Sequence, residues 1–159
     1  MGKVVIIMGS RSDLEHCKKI VDVLKQFGIQ FNLRVGSAHK TPDKLLEIIK
    51  NYEKDDVVFI TVAGKSNALS GYVDAQTTRP VIACPPYSDK FGGVDIFSSL
   101  RLPSGVCSMT VLEPEGAALA AIKILAIGDK NLQAKIKEYQ KDKRKEIEIA
   151  DSEMMQSQS

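Results

Sequence analysis

The chain has 159 residues, of which 43% are apolar and 26% charged, with a formal charge of +2. That length holds one ordinary domain with a real core, and that balance excludes a disordered or membrane-embedded chain. The small net charge, with no basic stripe interleaved with aromatics, excludes a nucleic-acid partner. The apolar run near the N-terminus, Val4 to Met8, is too short for a signal-peptide core or a membrane span, so a cytoplasmic location and no membrane partner are expected. Cys17, Cys84 and Cys107 are widely separated and lack metal-ligand spacing, so they read as small buried hydrophobes.

"KVVIIM" is a continuous β-branched run, the pattern of a strand buried on both faces of a parallel sheet. "GSRSD" breaks it, and Ser12 with Glu15 predicts a capping box for the helix that follows. That helix aligns Leu14, Cys17, Ile20, Val21, Leu24 and Phe27 on one face and stops at Gly28. "FNLRV" reads as a short alternating strand and "GSAHK" as a loop. Thr41-Pro42 then forms an N-cap with proline at the first helical position. Leu45, Leu46, Ile48, Ile49 and Tyr52 mark the buried side of this second helix.

"VVFITVA" is a third strand, "GKSNALSG" its loop, and a helix through Val73 follows. "PVIACPP" is a fourth strand. An irregular stretch with a short helix near Asp95–Leu100 leads to a fifth strand near Met109–Leu112. The alanine-rich "PEGAALAAIKILAI" and a charged helix over Lys135–Glu153 end the chain, with "MMQSQS" as a frayed end. The expected division is an α/β domain over 1–127, a helical extension of it over 128–151 and a disordered tail over 152–159. Five βα repeats imply a three-layer, flavodoxin-like parallel sheet in the order 2-1-3-4-5. That order brings the loops after the first three strands together at the carboxyl edge.

Those loops, "GSRSD", "GSAHK" and "GKSNALSG", are rich in glycine and hydroxyls, and each leads into a helix N-terminus able to hold a phosphate. Asp13 suits a ribose diol or, more plainly, the start of a helix. "GSRSDLE" is not a dinucleotide fingerprint, and "AGKS" has Phe59 where a P-loop needs glycine. His39, flanked by Ser37 and Lys40, is the one loop side chain that both takes and gives a proton near neutral pH. A lone loop histidine more often caps a turn, but Asp13 is the only other acid or base in the expected site. His16 lies one residue off the apolar stripe and is expected at the surface. Nothing aligns serine, histidine and aspartate as a hydrolytic triad. The residues alone reach a phosphate-bearing small molecule and a histidine proton shuttle with no metal. A non-catalytic module binding a phosphorylated ligand or a flavin stays open beside this.

The blocks "MGSRSD", "GSAHKTPD", "AGKSNALSG", "ACPPYSD" and "SSLRLPSGV", in this order, resemble the phosphoribosylaminoimidazole carboxylase (PurE) family of purine biosynthesis from about Val4 to Ile127. One branch of that family, the mutase, has "SAHR" and a third loop like "GGAAHLPG", and moves a carboxylate from N5-carboxyaminoimidazole ribonucleotide to ring carbon. With Lys40, Lys65, Ser66 and Asn67, this chain resembles instead the class II branch, which joins 5-aminoimidazole ribonucleotide (AIR) to carbon dioxide, giving the 4-carboxy product (CAIR). The resemblance implies that Gly9, Ser10, Ser12 and Asp13 contact phosphate and ribose. It implies that Ser37, Ala38 and Lys40 hold the phosphate end, that His39 transfers the ring proton, and that Gly64, Lys65 and Ser66 form the third wall. It further implies no ATP, biotin or other cofactor, a covering loop in "PPYSDKFGG", and a homo-octamer with sites at subunit junctions.

Overall fold

A computed structural model of the chain describes residues 2–158. Its first strand is β1 (Lys3–Met8), where Val4 to Ile7 are fully buried and Met8 nearly so. It pairs in parallel with β2 (Gln30–Val35) on one side and β3 (Val57–Val62) on the other. β4 (Val81–Ala83) and β5 (Met109–Thr110) complete the sheet in the order 2-1-3-4-5, as expected. Every residue of β3 is also buried, so both middle strands are covered on two faces.

Successive side chains of a strand point to opposite faces, and the core divides accordingly. Val5, Ile7, Val57 and Phe59 pack with Leu45, Ile48 and Ile49 of α2 (Pro42–Tyr52) and with Leu69 and Val73 of α3 (Ala68–Ala75). On the other side α1 (Leu14–Phe27) packs with α5 (Pro114–Leu125), whose buried Ala117, Ala118 and Ala121 permit close approach. α1 ends where Gly28 takes φ 72°, a left-handed conformation that costs glycine nothing. Gly36 serves a different need: a Cβ there would lie 3.2 Å from Leu45 Cδ1, a tight contact that would push the Leu45 side chain where the chain leaves β2 close to α2. Between β4 and β5 lie a kinked 3-10 segment, Lys90–Ile96, and the short α4 (Phe97–Leu100).

Several expectations change. Ser12 does not cap α1. A 3-10 turn, Arg11–Asp13, precedes the helix, and Ser10 caps that turn by accepting from Ser12 N–H. Thr41 makes no cap bond to α2 because its hydroxyl turns back to Ser37. β2 does not alternate: it is an edge strand, and Leu33 and Val35 stand exposed. β5 stops at Thr110 because β4 offers only Ile82 and Ala83 as partners, although Val111 N–H still donates to Ala83 O at 2.9 Å. Cys17 and Cys84 are buried as expected, whereas Cys107 is exposed.

The chain divides into two compact units, one ending at Leu125 and the other beginning at Ala126. The second unit consists of a 3-10 turn, Ala126–Gly128, and α6 (Lys130–Ser157), capped where Asp129 accepts from Leu132 N–H. The expected frayed end is therefore helical through Ser157; Glu, Met and Gln are good helix formers, and Ser152 and Ser157 bond back to Glu148 O and Met154 O. Ser159 lies outside the described residues. Among the described residues no helix is long and apolar enough to cross a membrane.

Phe59 is fully buried at the centre of the sheet. Phe59→Ala is expected to lower unfolding free energy by about 3–5 kcal/mol, read as a fall in the urea midpoint; a change under about 1 kcal/mol would contradict the core described.

Candidate active site

Met8 pairs with Val35 on one side and with Val62 on the other, so β1, β2 and β3 end at one level. The ladder then runs one step into the loops: Gly9 N–H donates to Val62 O at 2.9 Å and Gly36 N–H to Met8 O at 3.0 Å. A Cβ on Gly9 would lie 3.4 Å from Ala63 Cβ, so the first and third loops touch at their bases. The three expected loops therefore rise side by side.

In the first loop Ser10 Oγ accepts from Ser12 N–H at 3.3 Å and lies 3.0 Å from Ser12 Oγ. Both serines are exposed, and Asp13 behind them is half-buried. Burial raises the Asp13 pKa, opposed by a hydrogen bond from the backbone and by the nearby charges of His16 and Lys65. In the second loop Ser37 and Thr41 clasp each other. Ser37 N–H donates to Thr41 Oγ1 at 3.0 Å, and Thr41 N–H returns to Ser37 O at 2.9 Å. Lys40 N–H donates to Ser37 Oγ at 3.2 Å, which leaves the serine hydroxyl proton for a ligand. The turn between, Ala38 to Lys40, presents His39 and Lys40 to solvent.

The third loop is built differently. Lys65 has φ 59°, the left-handed region, which costs a non-glycine residue about 1–2 kcal/mol. Its N–H donates to Asp95 Oδ2 at 3.2 Å. Ser98 Oγ lies 2.9 Å from Lys65 O and 2.8 Å from Asp95 O, and accepts from Asn67 N–H at 3.0 Å. Asn67, nearly fully buried, donates to Ser99 Oγ and caps α3 by accepting from Ser70 N–H. Gly64 is half-buried and Ser66 exposed beside it.

The expected residues thus share one edge but not one enclosed cavity. A cavity of about 350 Å³ lies on the β4 side of the third loop, lined by His16, Lys65, Pro86, Tyr87 and Asp95 among others. Gly64 and Lys65 belong to it; His39 and Lys40 do not. A second cavity of about 570 Å³ shares its Lys65 and Tyr87 wall. His16 corrects the expectation of a surface residue. It is half-buried, and its Nε2 lies 3.3 Å from Cys84 Sγ. Burial lowers its pKa and Lys19 adds to this, with Asp13 opposing. Burial pushes the Cys84 thiol up to about 12, so it is no thiolate nucleophile. His16, Asp95 and Ser98 were missed; only the spacing of His16 from Asp13, three residues along a helix, could have pointed to the first.

A hydroxyl-rich carboxyl edge at the end of a doubly wound sheet, with histidine, lysine and aspartate on adjoining loops, is where α/β enzymes of this architecture place their ligand sites. The description "AIR carboxylase" fits residues 3–146 as a family match. The phosphoribosylaminoimidazole carboxylase of Archaeoglobus fulgidus is 63% identical over 96% of this chain and 84% of its own length. The N5-carboxyaminoimidazole ribonucleotide mutase of Methanocaldococcus jannaschii is 42% identical over 95% and 96%. The crystal structure of Treponema denticola PurE superposes with a TM-score of 0.94 at 46% identity, covering 96% of this chain and 98% of that one. The chain belongs to the AIR carboxylase family and is an enzyme of purine biosynthesis.

Between the lowered pKa of His16 and its ordinary value of 6.5, the unfolded chain binds a proton more readily than the folded one, so stability falls as pH drops through that window. In an NMR titration the His16 ring is expected to titrate below 6.5, and His16→Gln to flatten that slope; a midpoint at or above 6.5 would contradict the burial described.

Proposed function

We propose that this enzyme carboxylates 5-aminoimidazole ribonucleotide with carbon dioxide at ring carbon four, reversibly and without ATP, biotin or a metal. The observation that carries the reading is the shared level of the three loops. Ser10, Ser12 and Asp13, then Ser37, Ala38, His39 and Lys40, then Gly64, Lys65 and Ser66 can thereby face one substrate. In this reading Gly9, Ser10 and Ser12 take the phosphate and ribose, Asp13 accepts from the diol, and Ser37 and Lys40 hold the phosphate end. The ring amino group makes carbon four an enamine nucleophile, which attacks carbon dioxide held against it. His39 removes the ring proton and returns it in the reverse direction. Lys65 and the Gly64–Ser66 backbone face the new carboxylate.

The choice of carbon dioxide is supported by Lys40, Lys65, Ser66 and Asn67, which match the carboxylase branch. Identity to the Archaeoglobus fulgidus carboxylase also exceeds that to the Methanocaldococcus jannaschii mutase. That 42% identity nevertheless makes the mutase the second reading. A cytoplasmic location and a homo-octamer belong to the first. Tyr87, Phe91, Val94, Phe97, Leu100 and Leu112, all between residues 87 and 112, are exposed, a density of apolar side chains that supports self-association. Light scattering should give an octameric mass, and a monomer would exclude it.

The deciding assay runs two substrates side by side without ATP. AIR with bicarbonate should give CAIR, with little turnover of N5-carboxyaminoimidazole ribonucleotide; the opposite pattern would identify a mutase. His39→Asn should lower kcat by about a hundredfold or more while ligand binding persists. Retained turnover would remove His39 from the reaction.

A further inference from the structure

The backbone at Lys65 is unusual in a specific way. A glycine would adopt φ 59° freely, yet the chain places there a long cationic side chain, and it fastens both polar atoms of that residue's backbone to one distant segment. Asp95 Oδ2 accepts from Lys65 N–H at 3.2 Å, and Ser98 Oγ bridges Lys65 O and Asp95 O at 2.9 and 2.8 Å. The same Ser98 oxygen accepts from Asn67 N–H, so residues 65 and 67 are gripped on either side of Ser66. Held this way, residue 65 cannot change its backbone conformation without breaking those bonds. Asp95 itself lines both cavities that meet at Lys65.

We infer that Asp95 is a positioning residue: with Ser98 it locks the third loop in its left-handed turn and so fixes the direction in which the Lys65 side chain leaves that loop. The inference rests on the functional reading above for its consequence in catalysis, but not for its geometry. Freed of Asp95, a lysine backbone relaxes to right-handed or extended conformations, which re-aims the side chain. Asp95 contributes no group to the reaction. It acts through Lys65, from the same 3-10 segment that holds Phe91.

The test joins a structural and a kinetic measurement. Crystal structures of the wild type and Asp95→Ala should show residue 65 leaving the left-handed region in the variant, while Asp95→Asn, which keeps an oxygen acceptor, should retain it. In the AIR and bicarbonate assay Asp95→Ala should lose about tenfold or more in kcat/KM. Asp95→Asn should recover most of that. In a Lys65→Gly background, whose own activity is reduced, adding Asp95→Ala should cost less than about twofold, because glycine needs no clamp. An unchanged φ at residue 65 in Asp95→Ala overturns the inference. So does an undiminished loss in the Lys65→Gly background, which would mean Asp95 acts otherwise than through Lys65. If the wild type makes no CAIR, the functional reading fails by itself, and the φ comparison still decides whether Asp95 holds the loop.

Discussion

The parallel pairing of Met8 with Val35 and Val62 is the constraint from which the site follows. In a parallel sheet every strand ends at the same edge, and a common register makes three successive loops start level. A slip of one residue in β2 or β3 would turn its side chains to the opposite face. The fully buried rows of β1 and β3 make such a slip costly, because each side chain has its own neighbours in α2 and α3 or beneath α1 and α5. The precision of the carboxyl edge is thus bought by the core.

The three loops use that shared level differently. The first spends its serine oxygens on a short 3-10 turn, and the second closes on itself through Ser37 and Thr41; both are locally satisfied and present side chains outward. The third depends on a segment thirty or more residues away in sequence, as in the Lys65–Asp95 and Asn67–Ser99 bonds. Local turns can be rigid in an isolated chain. A loop held from a distance is coupled to whatever moves the distant segment, and here that segment follows the exposed Tyr87 and Phe91. The cavity beside Lys65 lies on this same β3–β4 side of the edge.

The sheet order and the loops at its edge were legible in the sequence because unbroken β-branched runs separated by glycine, serine and proline have few other solutions. His39 and Lys40 were legible only as residues of the right chemistry in a loop of the right rank, and the roles proposed for them come from the resemblance of the motifs. Three things were not legible, each for a physical reason. His16 looked like a surface residue because periodicity marks the core stripe of a helix but not the flank that faces a neighbouring loop. Asp95 and Ser98 could not be tied to Lys65, since nothing local announces a bond across thirty residues. The end of α6 lacks an apolar face strong enough to signal order, yet its residues favour helix and bond back to it.

We propose that the three loops, rather than the cavity beside His16, receive the nucleotide. A crystal structure with 5-aminoimidazole ribonucleotide bound and no bicarbonate tests it most directly. The account predicts phosphate and ribose within hydrogen-bonding distance of Ser10, Ser12, Asp13, Ser37 and Lys40, with the imidazole ring against His39. A nucleotide seated instead among His16, Pro86 and Tyr87, leaving His39 untouched, would contradict it.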